Sequence, residues 1–200
     1  MMQVVLVDAG GANLGSVLFA LQRLGVEATV TGDARVIRDA DRVILPGVST
    51  AAMVMGRLRE LDLVDTLRSL DKPLLGVCVG MQLLYERSTE GNVECLGLLA
   101  GEVTKLAGTA AIRVPHMGWN TLRPVRATSL VEGIEAGDHA YFVHSYAAPV
   151  TADCVLATGH GAVFAAVAQR GRVAGAQFHP ERSSAVGARL LQNFLEYGLA

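Results

Sequence analysis

Cys78 is the residue with the clearest chemical potential. It sits in Leu74-Leu75-Gly76-Val77-Cys78-Val79-Gly80-Met81-Gln82, where an apolar run ends and a helix-like run begins. A cysteine flanked by close glycines at a strand-to-helix junction has the local form of a nucleophile elbow. The turn is tight, so its neighbours must be small, and the side chain is pushed out at the end of a sheet. Unpaired N–H groups at the start of the following helix would favour a thiolate. About a hundred residues later comes Gln177-Phe178-His179-Pro180-Glu181. In an extended segment residues two apart point to the same side, and Pro180 favours extension at His179. Glu181 can therefore orient the imidazole, and the pattern suggests a Cys78–His179–Glu181 triad for acyl transfer. Such chemistry also needs donors at a developing oxyanion. Leu45-Pro46-Gly47-Val48-Ser49 ends another apolar run. The N–H groups of Gly47 or Val48, with that of Val79, are the candidates.

The elements that must position these groups follow from hydrophobic period. Gln3–Asp8, Val26–Val30, Arg42–Leu45 and Pro73–Val77 read as strands. Asn13–Gly25, Thr50–Gly56, Leu61–Leu70 and Val79–Arg87 read as helices, with Asn13 a candidate N-cap and Gly25 a stop. Alternation of this kind implies right-handed crossovers and a mostly parallel sheet. From about Gly101 short strand-like runs follow one another: Glu102–Leu106, Gly118–Arg123, Tyr141–Tyr146, Cys154–Thr158, Val163–Gln169 and Arg172–Gln177. These predict antiparallel pairs, with a hairpin turn within Ala168–Arg172. A helix over about Ser183–Tyr197 ends the chain. The expected architecture is a single α/β domain over residues 1–200, with a mostly parallel central sheet flanked by helices and antiparallel strands in the C-terminal half.

Composition bounds the partners. The chain has 200 residues, 51% of them apolar and 18% charged, enough for a sizeable core. A formal charge of −2, with the 17 basic residues scattered, gives no case for nucleic acid. Three cysteines at irregular spacing make no disulfide framework, so a reducing cytoplasm is expected. Cys95 and Cys154 read as inert core thiols. No leader-like segment opens the sequence, and no apolar run is long enough to cross a bilayer. His116, His139, His144 and His160 have no metal-ligand spacing. His144, in His144-Ser145-Tyr146, falls near the expected site.

Taken together, Pro46-Gly47-Val48, Gly76-Val77-Cys78-Val79-Gly80-Met81-Gln82 and Phe178-His179-Pro180-Glu181 resemble the class I (triad) glutamine amidotransferases. Val114-Pro115-His116-Met117-Gly118-Trp119-Asn120, Tyr141-Phe142-Val143-His144-Ser145-Tyr146 and the opening Asp8–Leu14 are similar to the branch of glutaminase subunits that serve imidazole glycerol phosphate synthase. The resemblance spans essentially the whole chain. It implies hydrolysis of L-glutamine through a thioester on Cys78, without metal or organic cofactor. The ammonia would pass to a (β/α)8-barrel cyclase in a heterodimer, for histidine biosynthesis. It implies Gln82, Glu90, Ser145 and Tyr146 as substrate contacts, and Asn13, Met117, Trp119, Tyr141 and Arg182 as partner contacts. The chain departs from the family at Ser49, where glycine is usual, at Ala12 and at Val79. A serine at 49 would restrict the oxyanion loop. Two further readings use the same features: a glutaminase for another acceptor, and a non-catalytic binding paralogue. The second would be favoured by a missing Cys, His or Glu, and none is missing.

Overall fold

The computed structural model describes residues 2–10 and 14–199. Its frame is an eight-stranded sheet. The strands β1 (Val4–Val7), β2 (Ala28–Thr31), β3 (Arg42–Gly47) and β4 (Leu74–Cys78) pair in parallel in the order β2-β1-β3-β4. Beyond β4 the sheet continues through strands from the end of the chain. To label them in order, helices α1 (Leu14–Arg23), α2 (Ala34–Asp39), α3 (Ala51–Glu60), α4 (Val64–Arg68) and α5 (Val79–Gln82) come first. Short strands β5 (Arg87–Ser88), β6 (Val93–Glu94) and β7 (Glu102–Lys105) follow. Then come β8 (His116–Thr121), β9 (Arg123–Pro124), β10 (His139–His144) and β11 (Tyr146–Ala147). Last are β12 (Cys154–His160), β13 (Ala162–Arg170), β14 (Val173–Ala176) and α6 (Ser184–Tyr197). β14 joins β4 in parallel, and β13, β12 and β9 complete the sheet antiparallel. The parallel half with an antiparallel C-terminal extension agrees with the sequence-based expectation.

β1, β3 and β4 are buried almost throughout because helices cover both faces of a sheet wound in two directions. The chain reverses its walk after β2, and such switch points open a crevice at the carboxyl ends of the strands. β3 extends two residues further than expected, through Pro46 and Gly47. At Pro46 its pairing with β1 has already ended at Ile44, so the missing donor faces no neighbour on that side.

Two segments depart from the sequence reading. α2 was not anticipated. It has six residues and one buried side chain, Ile37, so it carries no periodic stripe, and its start is set by Asp33, which accepts from Arg35 N at 2.7 Å. The expected helix Val79–Arg87 stops at Gln82. Its next carbonyls are taken by a crossing loop: Leu96 N donates to Leu83 O, Leu98 N and Leu99 N to Leu84 O, and Gly97 N to Tyr85 O. Long-range pairing thus overrides local helix preference, and Arg87–Ser88 enters a small four-stranded sheet, β11-β7-β5-β6. β8 and β10 form a separate antiparallel pair. The proposed cap Asn13 lies outside the described residues.

Candidate active site

Cys78 closes β4 with φ 54° and ψ −112°. Positive φ in a non-glycine residue stores on the order of 1–3 kcal/mol and needs surrounding structure to hold it. That structure is backbone on backbone. A Cβ at Gly80 would run into the Leu45 carbonyl oxygen, and one at Gly47 would lie 2.7 Å from Gly80 N. The strand end and the first turn of α5 therefore touch without side chains between them. Register places Gly47 beside Cys78, so the Gly47-Val48-Ser49 loop starts at the flank of that cysteine. On the other side β14 pairs Ala176 with Val77, and the chain then delivers Gln177 and His179 next to Cys78.

His179 and Glu181 are both buried, and Nδ1 of the imidazole lies 2.8 Å from Glu181 Oε1. A proton on Nδ1 is thereby held by the carboxylate, and Nε2 is left for other chemistry. Burial by itself would lower the His179 pKa. Hydrogen bonds to Cys78 and Glu181, and the negative charge on both, overrule it and push the value up to about 10. Burial outweighs nearby arginines at the other two thiols, Arg59 at Cys95 and Arg123 and Arg126 at Cys154, and each is pushed up to about 11.

The crevice above Cys78 is a cavity of about 510 Å³. Val48, Ser49, Val79 and Gln82 line one side, and Glu90, Ser145, Tyr146, His179 and Arg182 contribute to the rest. Every expected substrate contact therefore reaches one space. Glu90 is anchored by accepting from Ala51 N at 2.8 Å, which ties the cavity wall to the N-terminus of α3, just past the Gly47–Ser49 loop. Gln82 Nε2 donates to Tyr146 O at 2.8 Å and to Gln177 Oε1 at 3.0 Å. With both N–H groups used, Gln82 offers the cavity only its acceptor oxygen.

Sequence reasoning left two groups unassigned. Gln177 is fully buried, and its Nε2 lies 3.9 Å from Cys78 Sγ. His144 and His116 are also buried, in line. Asn120 Nδ2 lies 3.2 Å from His116 Nε2, His116 Nδ1 lies 3.0 Å from His144 Nε2, and His144 Nδ1 lies 2.8 Å from Tyr146 O. A carbonyl only accepts, so His144 carries its proton on Nδ1 and His116 on Nδ1, and both rings are neutral. Burial is the first cause that lowers them, His116 to about 4 and His144 to about 3. Their burial follows from β8–β10 alternation, which a 2-residue period in the sequence could have revealed. Among the described residues no group of three or more His, Cys, Asp or Glu side chains is arranged to hold a metal ion.

The other face of the β8–β10 pair is exposed. Met117 is 64% and Trp119 54% accessible. Trp119 sits opposite Tyr141 in register, with ring centroids 5.9 Å apart, and the Arg182 guanidinium lies 5.8 Å from the Tyr141 centroid. Four of the five expected partner contacts thus form one patch, and Arg182 connects it to the cavity rim.

Comparison with known proteins agrees with this geometry. The family described as glutamine amidotransferase class-I matches residues 5–197. A protein named imidazole glycerol phosphate synthase subunit HisH from Xanthomonas oryzae pv. oryzae is 60% identical over 196 residues, 98% of each chain. One of the same name from Xylella fastidiosa is 56% identical over the full length of both. Among solved structures, a glutamine amidotransferase shares the fold with a TM-score of 0.75 at 22% identity, over 96% of this chain and 97% of its own. Another, from Thermotoga maritima, has a TM-score of 0.64 at 15% identity, over 96% and 82%. The sheet with its elbow cysteine, the buried histidine–glutamate pair and these full-length similarities have one reading: the chain belongs to the class-I glutamine amidotransferases and, within them, to the HisH subunit family of imidazole glycerol phosphate synthase.

Proposed function

We propose that this chain, acting as one amidotransferase unit, hydrolyses L-glutamine to glutamate and ammonia with Cys78 as nucleophile, His179 as acid and base, and Glu181 as orienter. The observation that carries the reading is the placement of His179. Its Nδ1 is bound to Glu181, and its pKa is raised by Cys78, so the proton of the thiol resides readily on the imidazole. The thiolate attacks the side-chain carbonyl carbon of glutamine. The oxyanion that forms is stabilised by the N–H of Val79 and that of Gly47 or Val48. His179 Nε2–H gives its proton to the leaving nitrogen, ammonia departs, and a γ-glutamyl thioester remains. Water then attacks the thioester with His179 as base, releasing glutamate and the thiol.

Gln82, Glu90, Ser145 and Tyr146 hold the substrate. Gln82 Oε1 and the Glu90 carboxylate are acceptors that suit the N–H-rich groups of glutamine. A site built to accept from a substrate N–H disfavours analogues that lack it by factors of about 10⁴. The patch of Met117, Trp119, Tyr141 and Arg182 docks the cyclase subunit, a (β/α)8 barrel, and the heterodimer passes ammonia to it for histidine biosynthesis in the cytoplasm. Large aromatics beside an arginine are the composition of interface anchors.

Glutamate release with and without the cyclase and its nucleotide ligand tests this. Cys78→Ala is expected to abolish glutamate release while complex formation persists. Unchanged turnover by that variant would sink the reading.

A further inference from the structure

The buried polar groups between β10 and β14 form a hydrogen-bonded chain whose direction is set by backbone atoms. Tyr146 O is a carbonyl and can only accept. The Gln82 atom 2.8 Å from it must therefore be the amide nitrogen. The second N–H of that nitrogen reaches Gln177, so the Gln177 atom 3.0 Å away is the amide oxygen. Gln177 then has one way round, and its Nε2 faces Cys78 Sγ at 3.9 Å. From the other side His144 also donates to Tyr146 O. The far end is fixed too, because Asn120 Nδ2 donates to Gly159 O at 2.9 Å while Asn120 Oδ1 accepts from Thr121 N. Reversing any member would set two acceptors or two donors against each other inside a buried site.

We propose that Gln177 is a hydrogen-bond donor to the Cys78 sulfur, held in that polarity through Gln82 by the Tyr146 carbonyl, and that it stabilises the thiolate alongside His179. This rests on Cys78 being the nucleophile. The charged and titratable groups that face the sulfur or its cavity are His179 with Glu181 behind it, His144 from β10, Tyr146 from β11, Glu90, and Arg182. Gln177 differs from all of these in being neutral at every pH. Its contribution is a fixed dipole, and hydrogen bonding to a charged form lowers the pKa of the acid that produces it.

The pH dependence of Cys78 alkylation by iodoacetamide, read peptide by peptide by mass spectrometry, tests the assignment. Cys95 and Cys154 serve as buried internal references. Gln177→Glu keeps the oxygen that accepts from Gln82 and replaces the donor with a second oxygen. It is expected to move the alkylation midpoint up by about one pH unit, a tenfold loss of thiolate well below the midpoint. Gln177→Met removes the donor without adding charge and should shift the midpoint in the same direction by less. Profiles of both variants that superimpose on the parent would overturn the proposal. A measurement on the unsubstituted protein stands beside these in case neither variant folds. The side-chain amide resonances of Gln177 should move when Cys78 is alkylated, and resonances that stay in place would equally overturn it. Absence of Cys78 alkylation in the parent at any pH would instead overturn the nucleophile reading itself.

Discussion

His179 and the His116–His144 pair are buried alike, at 5%, 4% and 6% accessibility, yet their pKa values move in opposite directions. His179 rises to about 10, and the other two fall to about 4 and 3. The difference lies in the neighbours. His179 stands between two acids, Cys78 and Glu181, which reward its charge. His116 and His144 stand among a carbonyl, an amide, aromatic rings and each other, with His116 stacked on His160 at 4.3 Å and on Phe142 at 4.9 Å. One histidine is placed to carry a charge, and the other two are placed to stay neutral. Burial sets how strongly neighbours act, and the neighbours' charge decides the sign.

The contrast can be broken most severely at Glu181. Glu181→Gln takes away the charge that fixes the His179 tautomer, and kcat for glutamine hydrolysis should fall by about ten-thousandfold, the scale seen when a catalytic triad loses its carboxylate. A fall of less than tenfold would mean that Glu181 orients nothing. His144→Phe is next in size. It leaves the donor of His116 without its acceptor, and it removes one of the two donors to Tyr146 O, for a loss of about 2 kcal/mol in urea unfolding at pH 7.5. The sign of its pH dependence is informative. A base whose folded pKa is depressed contributes stability that is full above the unfolded value of 6.5 and is lost as pH falls toward the folded value. The parent should therefore lose stability from pH 6.5 downward, and the gap between parent and His144→Phe should narrow at pH 5. A gap that widens would show His144 to be charged in the fold.

The smallest expected effect sharpens the other side. Cys78→Ala removes one of the two acids around His179, so the imidazole titration followed by NMR should move down from about 10. For His179 the stability linkage has the reverse sign. Its contribution is complete below 6.5 and lost as pH rises toward 10, and in Cys78→Ala the upper edge of that window should come down. An unchanged titration would leave Glu181 alone responsible for the shift.

The parts of this molecule that could be read in the sequence are those encoded over short spans. The elbow is nine consecutive residues, and the His179–Glu181 pair is separated by one, so local geometry alone brings them to the right form. Periodicity was enough for the long elements, and the sheet's parallel half and antiparallel extension follow from it. What was not legible came from partners far apart. Val79–Arg87 has a helical pattern, but the loop at residues 96–99 takes its carbonyls, and no local signal announces that loop. α2 is too short to show a stripe. Gln177 has no role that its own segment reveals, because its meaning depends on Gln82, 95 positions away in sequence, and on Cys78, 99 away. The expected substrate contacts rest on family resemblance, and the structure gathers those residues around one cavity.

The anchor of the polar chain is a main-chain oxygen. Side-chain substitution at position 146 leaves that atom in place, and so leaves Gln82 and Gln177 facing the same way. A site whose donors and acceptors are oriented by an atom that every residue type supplies has a form of inheritance that single-codon changes there cannot edit. Drift at position 146 can alter the cavity's shape. The sense of the amides beneath it is transmitted with the backbone.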